Sequence, residues 1–279
     1  MPFLFLRDGN PLRHIRRPYV TYGLILANVA IFAVMSVLPG QFDGWAYVPN
    51  GASLLDDPVT LVTYQFMHGS MLHLLGNMLM LFIFGDNIED SMGHLRYLLF
   101  YLLTGIFSAL AFGLSEAVQA GPPIAVIGAS GSIGGLLAAY LLLHPRARVL
   151  VLVAFRFPVF APAGIFIAIY VALDFLMAFS GDHGIAWWAH IGGFLSGLLL
   201  VRPFKFRDVP LFAPATHYPE TPFPELEREA DGRLRRLLPF GKIGERKPLS
   251  RRAAIIVAMI KVVSYLSLLL YLMLVLEII

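Results

Sequence analysis

Four polar side chains in an otherwise apolar chain carry the chemistry this sequence can do. Ser130 stands in Gly128-Ala129-Ser130-Gly131 at the head of an apolar stretch, and His190 follows Trp187-Trp188-Ala189 in another. His73 and Asn77 lie four residues apart in a third, so a helix puts them on one face. A serine hydroxyl is a weak nucleophile until a base takes its proton, and His190 is the candidate base. The oxyanion that forms at an attacked carbonyl needs donors, which His73, the Asn77 amide and the Ser130 backbone N–H can supply. This is the chemistry of acyl transfer by a Ser/His dyad. Asp174, in a further apolar stretch, could orient a partner or make an ordinary polar contact. A phosphate-binding reading fails because the glycines around Ser130 are not followed by the Gly-Lys-Ser/Thr that a phosphate loop requires.

The elements that must hold these residues are membrane spans. Of 279 residues, 58% are hydrophobic and 14% charged, and the mean hydropathy is +0.73. A soluble domain has roughly 25% charged residues. Apolar runs over 18–38, 71–88, 94–114, 129–144, 160–179, 186–201 and 253–279 give seven candidate spans. The first is long enough to remain in the membrane, so no cleaved signal peptide is expected. The expected fold is all-α: a polytopic membrane bundle with a six-helix core and a seventh, C-terminal transmembrane helix. Its parts are a cytoplasmic segment over 1–17, a catalytic membrane domain over 18–203, a charged, proline-rich linker over 204–250 and the seventh helix over 251–279. Part of the stretch 39–70, rich in aromatic and apolar residues, is expected to lie at the membrane interface, and so is 147–163, because Arg156 and prolines interrupt it.

Basic residues set the orientation. Arg7, Arg13, Arg16 and Arg17 precede the first span, and Arg96, Arg146, Arg148, Arg156, Arg202, Lys205 and Arg207 fall on the same side. The loops 39–70, 115–128 and 180–185 hold neither Lys nor Arg. This bias implies a cytoplasmic N-terminus in a bacterial inner membrane. A pI near 9.2 then describes a face meeting anionic lipid, and no nucleic-acid partner is implied. The chain has no cysteine, which removes disulfides and thiolate chemistry.

Spans two, four and six run from outside to inside, so residues in their first turns share a depth. Span four covers roughly 24 Å at 1.5 Å per residue, less than a hydrocarbon core about 30 Å thick. Its amino end, with Ser130, must sit below the outer surface. Gly131 and Gly135 form a GxxxG face there, and Gly193 and Gly197 share a face with His190. Those glycines, with Gly134, allow spans four and six to approach closely. Ser130, His190, His73 and Asn77 thus converge in one layer, and polar groups at that depth mark a functional site.

These residues, in this order, resemble the rhomboid intramembrane serine proteases over roughly residues 18–201. The likeness rests on Gly128-Ala129-Ser130-Gly131, on Ala189-His190 with Gly192, Gly193 and Gly197, and on His73 with Asn77. Gly85 and Glu89 match the family's Gly-x-x-x-Glu on the second helix. The resemblance implies a cofactor-free serine endopeptidase that acts on transmembrane protein substrates near their outer ends. It also implies lateral substrate entry, with span five and the loop at 181–187 moving. Two features depart from the family: Trp45 has no arginine beside it, and Gly134 stands where some members place a tyrosine that stacks on the catalytic histidine. An alternative is a rhomboid-like protein that binds membrane clients without cutting them, which predicts loss of Ser130 or His190; both are present. A metal site built from His68, His73 and His190 lacks the His-Glu-x-x-His spacing of a membrane zinc protease, so no metal is expected. His68 and Glu89 read as structural, Trp187 and Trp188 as an interfacial belt, and Ser132 as packing or bonding a backbone carbonyl. Oligomeric state is not encoded in any of these patterns.

Overall fold

The computed structural model describes residues 3–8, 10, 12–49, 57–119, 124–153, 157–178 and 186–213. It divides into two compact units, Phe5–Leu150 with Phe160–His217, and Met1–Leu4 with Val151–Val159 and Tyr218–Ile279. The expected seventh helix over 251–279 and most of the expected linker, 214–250, lie outside the described residues. The larger unit carries every α-helix among the described residues: α1 (Tyr19–Val37), the single turn α2 (Thr60–Thr63), α3 (Met71–Met92), α4 (His94–Gln119), α5 (Ser130–Leu143), α6 (Ala163–Ala178) and α7 (Trp187–Phe204). The expected helical bundle is therefore present, and the six long helices coincide with the first six apolar runs.

Helices α4, α5 and α7 form the packed centre, with α3 against α4 and α5, α1 against α3, and α6 against α7 and α5. Helices α1, α3 and α4 are long and apolar enough to cross a bilayer. Exposed Leu26, Val29, Val34 and Val37 on α1 and Leu95, Leu99 and Phe107 on α4 are the surface such helices turn to lipid. Polar residues face inward instead: Thr21, Asn28, Gln65, Thr104, Ser108 and Ser132 are fully buried.

Glycine sets the closeness of the centre. A Cβ on Gly193 would overlap the Gly131 carbonyl, and one on Gly197 would sit 2.5 Å from the Gly135 carbonyl oxygen. The two pairs expected from spacing thus meet, with backbone against backbone. Gly192 turns the other way, toward Ala111 and Phe107 of α4.

Two loops hold more structure than the sequence reading assigns them. The stretch 39–70 enters the bundle: a 3₁₀ turn at Asp43–Trp45 precedes α2 and a second 3₁₀ turn at Tyr64–Phe66. Tyr64 is 1% exposed and Gln65 0%, because the Tyr64 hydroxyl donates to the Gly105 carbonyl and the Gln65 amide to those of Leu61 and Leu102. An antiparallel bridge pairs Tyr47 with Val126 in the approach to α5. The stretch 147–163 is also more than an interfacial connection. β2 (Arg148–Val153) and β3 (Phe157–Pro162) join β1 (Phe3–Asp8) in a sheet of order β1-β2-β3. Val149, Val151 and Val153 are β-branched at alternate positions, a strand pattern. Proline is tolerated near strand ends, so it did not prevent pairing.

Candidate active site

The site is built on the first turns of α3, α5 and α7. Helix α5 begins at Ser130, after a chain reversal at Gly128 with φ of +123°. Only glycine adopts that conformation readily, and a Cβ there would also lie 2.8 Å from the His73 ring and 3.7 Å from the Asn77 amide nitrogen. Gly128 therefore lets His73 and Asn77 press against the segment that presents Ser130. The Gly128 N–H donates to the Tyr64 carbonyl, which fixes this turn to the buried loop. Helix α5 is 14 residues long, roughly 21 Å, so it stays too short to span the membrane from surface to surface.

Ser130 Oγ lies 3.0 Å from His190 Nε2. That separation is a hydrogen bond in which the hydroxyl donates when Nε2 is unprotonated. His190 is held from several sides. The Trp187 ring meets it edge-on at 5.9 Å, one turn earlier on α7, and Ser108 of α4 donates to the carbonyl of neighbouring Ala189 at 2.7 Å. Trp187 thus supplies the ring contact that Gly134 cannot. Gly134 instead packs against α7 backbone, its missing Cβ being 3.1 Å from the His190 carbonyl oxygen. From α6, the Asp174 carboxylate reaches to 3.3 Å from His190 Nδ1.

Asn77 is buried, and its amide nitrogen lies 2.9 Å from His68 Nε2. His68 is 2% exposed; burial, and secondarily the nearby His73, push its pKa down to about 4. It is therefore neutral near pH 7, and its Nε2 accepts the Asn77 N–H. The His68 and His73 rings touch at 4.9 Å, nearly perpendicular. His68 thus touches both Asn77 and His73 and steadies them. Ser132 is packed inside, fully buried, and its hydroxyl donates to the Gln65 side-chain oxygen at 3.0 Å rather than to a backbone carbonyl. Among the described residues no group of histidines and carboxylates is arranged to hold a metal ion.

The structure thus brings together Ser130, His190, His73 and Asn77, with Gly131, Gly134, Gly135, Gly193 and Gly197 setting the helix spacing around them. Chemically, it offers a nucleophile–base pair and polar donors beside a short helix terminus whose dipole favours negative charge.

Comparison with known proteins identifies the family. The family model for the Rhomboid domain matches residues 56–205. The mitochondrial RHOMBOID-like protein 12 of Arabidopsis thaliana is 28% identical, the match covering 62% of this chain and 55% of that protein. Rhomboid protein 1, mitochondrial, of Saccharomyces cerevisiae is 29% identical over 64% of this chain and 51% of its own length. The human presenilin-associated rhomboid-like protein, mitochondrial, is 31% identical over 64% of this chain and 46% of its own. The chain spans about half the length of the curated relatives it matches. A family match over more than half of the sequence, spanning all of α2 to α7, shows that this integral membrane protein belongs to the rhomboid family.

Proposed function

We propose that this protein is an intramembrane serine endopeptidase that hydrolyses peptide bonds in or near the transmembrane segments of membrane-protein substrates. The observation that carries the reading is the 3.0 Å approach of Ser130 Oγ to His190 Nε2 at a helix terminus. In the acylation step Ser130 Oγ attacks the scissile carbonyl carbon and its proton passes to Nε2. Negative charge then collects on the carbonyl oxygen, where the Asn77 amide, His73 and the Ser130 backbone N–H donate. The tetrahedral species collapses as Nε2 returns the proton to the leaving amine nitrogen, which departs with the C-terminal part of the substrate. Water then attacks the acyl carbon, gives a proton to Nε2, and Ser130 regains it as the N-terminal product leaves. No cofactor or metal enters any step.

The arginine bias supports an N-terminus on the cytoplasmic side and a site open to the outer side, as proposed for a bacterial inner membrane. The relatives named above are organellar proteins, and fractionation of the source cells distinguishes the compartments. Substrates are proposed to be single helices entering from the lipid, unwound locally before they reach Ser130.

The test is cleavage of a model single-span substrate in liposomes by the intact protein, Ser130→Ala and His190→Ala, at matched folded amounts. Loss of cleavage in both variants is expected. Equal activity in all three overturns the dyad, and a folded intact protein that cuts none of a substrate panel favours client binding without proteolysis.

A further inference from the structure

The geometry points to Asp174 as a positioning residue for His190, its carboxylate accepting from Nδ1 so that Ser130, His190 and Asp174 act as a three-membered relay. This rests on the protease reading above and extends it beyond a dyad.

The argument starts at the other ring nitrogen. If Nε2 is to receive the Ser130 proton across 3.0 Å, the ring's own proton must sit on Nδ1. His190 Nδ1 is buried and has no aligned hydrogen-bond partner among the described residues. An unsatisfied buried N–H is costly. Asp174 Oδ2 stands 3.3 Å from it, the two side chains being 12% and 9% exposed. The distance fits an ion pair, while the ring N–H is not aimed along it; a modest rotation of either side chain closes the bond.

Asp174 has little other reason to be where it is. It lies in α6, an apolar helix, and is 6% exposed. A buried carboxylate must be paired or hydrogen-bonded. Its other polar neighbour among the described residues is the Tyr170 hydroxyl, one turn earlier. Tyr170, Asp174, His190, Gly134 and Phe194 line one small recess between α5, α6 and α7. Gly134 keeps the α5 wall of that recess free of a side chain. The residue that departs from the family pattern thus stands beside an acid the pattern does not require.

The chemistry follows from the charges that face His190. Ser130 approaches from α5, His73 from α3, Trp187 from its own helix, and Asp174 with Tyr170 from α6. When Nε2 takes the serine proton the ring becomes an imidazolium. His73 opposes that charge if it is itself protonated, and Asp174 is the nearby group that favours it. The Nδ1 proton stays on nitrogen throughout; Asp174 holds the tautomer and the ring angle and stabilises the cation.

The experiment compares the intact protein, Ser130→Ala, Asp174→Asn and Asp174→Glu on one model substrate, with kcat and KM measured across pH. Asp174→Asn is expected to lower kcat roughly 10- to 100-fold with KM changed less than about 3-fold. Asp174→Glu should recover part of kcat. A kcat and pH profile matching the intact protein in a folded Asp174→Asn variant overturns the role. If Asp174→Asn does not fold, ¹⁵N spectra of the histidines in Ser130→Ala, which retains Asp174, give the answer: a neutral His190 protonated on Nδ1 supports the relay, and one protonated on Nε2 overturns it. Failure of the protease reading looks different, since there the intact protein cuts no better than Ser130→Ala.

Discussion

The two ends of α3, outer and inner in the orientation proposed above, carry buried polar clusters of opposite character. At its outer end His73 and Asn77 face Ser130 and His190. At its inner end Glu89 and Asp90 are 0% and 6% exposed, and their oxygens are occupied. Glu89 accepts from the Val20 and Thr21 N–H groups, the Thr21 hydroxyl and His94. Asp90 accepts from the N–H groups of Arg13, His14 and Ile15. Helix α1 has only Pro18 at its N-cap position, with no side-chain cap, and its unpaired N–H groups attract an anion. Glu89 from another helix supplies it. At the outer end, by contrast, His190 Nδ1 and Trp187 Nε1 are buried without hydrogen-bond partners among the described residues. Full satisfaction builds an anchor; incomplete satisfaction leaves donors and acceptors available for a reaction.

The largest effect expected from this contrast is on stability, at the inner end. Glu89→Ala leaves two α1 N–H groups, Thr21 and His94 without their acceptor, at a cost of about 3–5 kcal/mol. A fall in the thermal midpoint should accompany near-normal kcat per folded molecule. A variant that melts normally but cuts poorly would move Glu89 from anchor to site and break the comparison.

At the outer end the order reverses. Asn77→Ala removes one of the donors proposed for the developing oxyanion, and kcat should fall roughly 100-fold, equivalent to about 2.7 kcal/mol of barrier. Stability should fall less, since the lost partner is one bond to neutral His68. Steady-state kinetics beside a melting curve separates the two. A large stability loss with kcat intact would make Asn77 part of a second anchor.

How far these two ends could be read in the sequence depends on what each contact requires. Ser130, His190, His73 and Asn77 follow from helical spacing and shared depth, because α3, α5 and α7 run the same way. The Gly131–Gly193 contact follows from the same register, which sets Gly134 beside it, whereas Gly197 meets Gly135. Glu89 was legible as a structural residue, but its partners Val20 and Thr21 were not, since backbone donors leave no mark in residue type. Gln65 was hidden because its loop looks interfacial, although the fold carries it inside to meet Ser132. The strands over 148–162 were masked by Arg156 and the prolines, which outweighed the alternating valines. Asp174 was visible as an acid in an apolar span, yet its approach to His190 depends on the rotation of α6, which a nearly uniform apolar stretch does not specify.

The smallest effect sharpens the inner end further. His14 places Nδ1 3.2 Å from Asp90 and Nε2 3.1 Å from Asp208, beyond α7. Desolvation acts to lower its pKa, but the hydrogen bonds and charges of the two carboxylates together outweigh it, so the pKa is raised. A group whose folded pKa exceeds its unfolded value stabilises fully below the unfolded value, near 6.5, and loses that contribution as pH rises through the folded pKa. His14→Ala should therefore lower the thermal midpoint at about pH 6 and leave it nearly unchanged at about pH 8.5. The Asp208 side chain is 74% exposed, so the difference should be small and shrink with added salt. Asp90 keeps its three backbone donors in either state. A loss that is large and independent of pH would mean that His14 holds the N-terminal segment by packing against Phe206 rather than by charge, and the inner anchor would then rest on Asp90 and Glu89 alone.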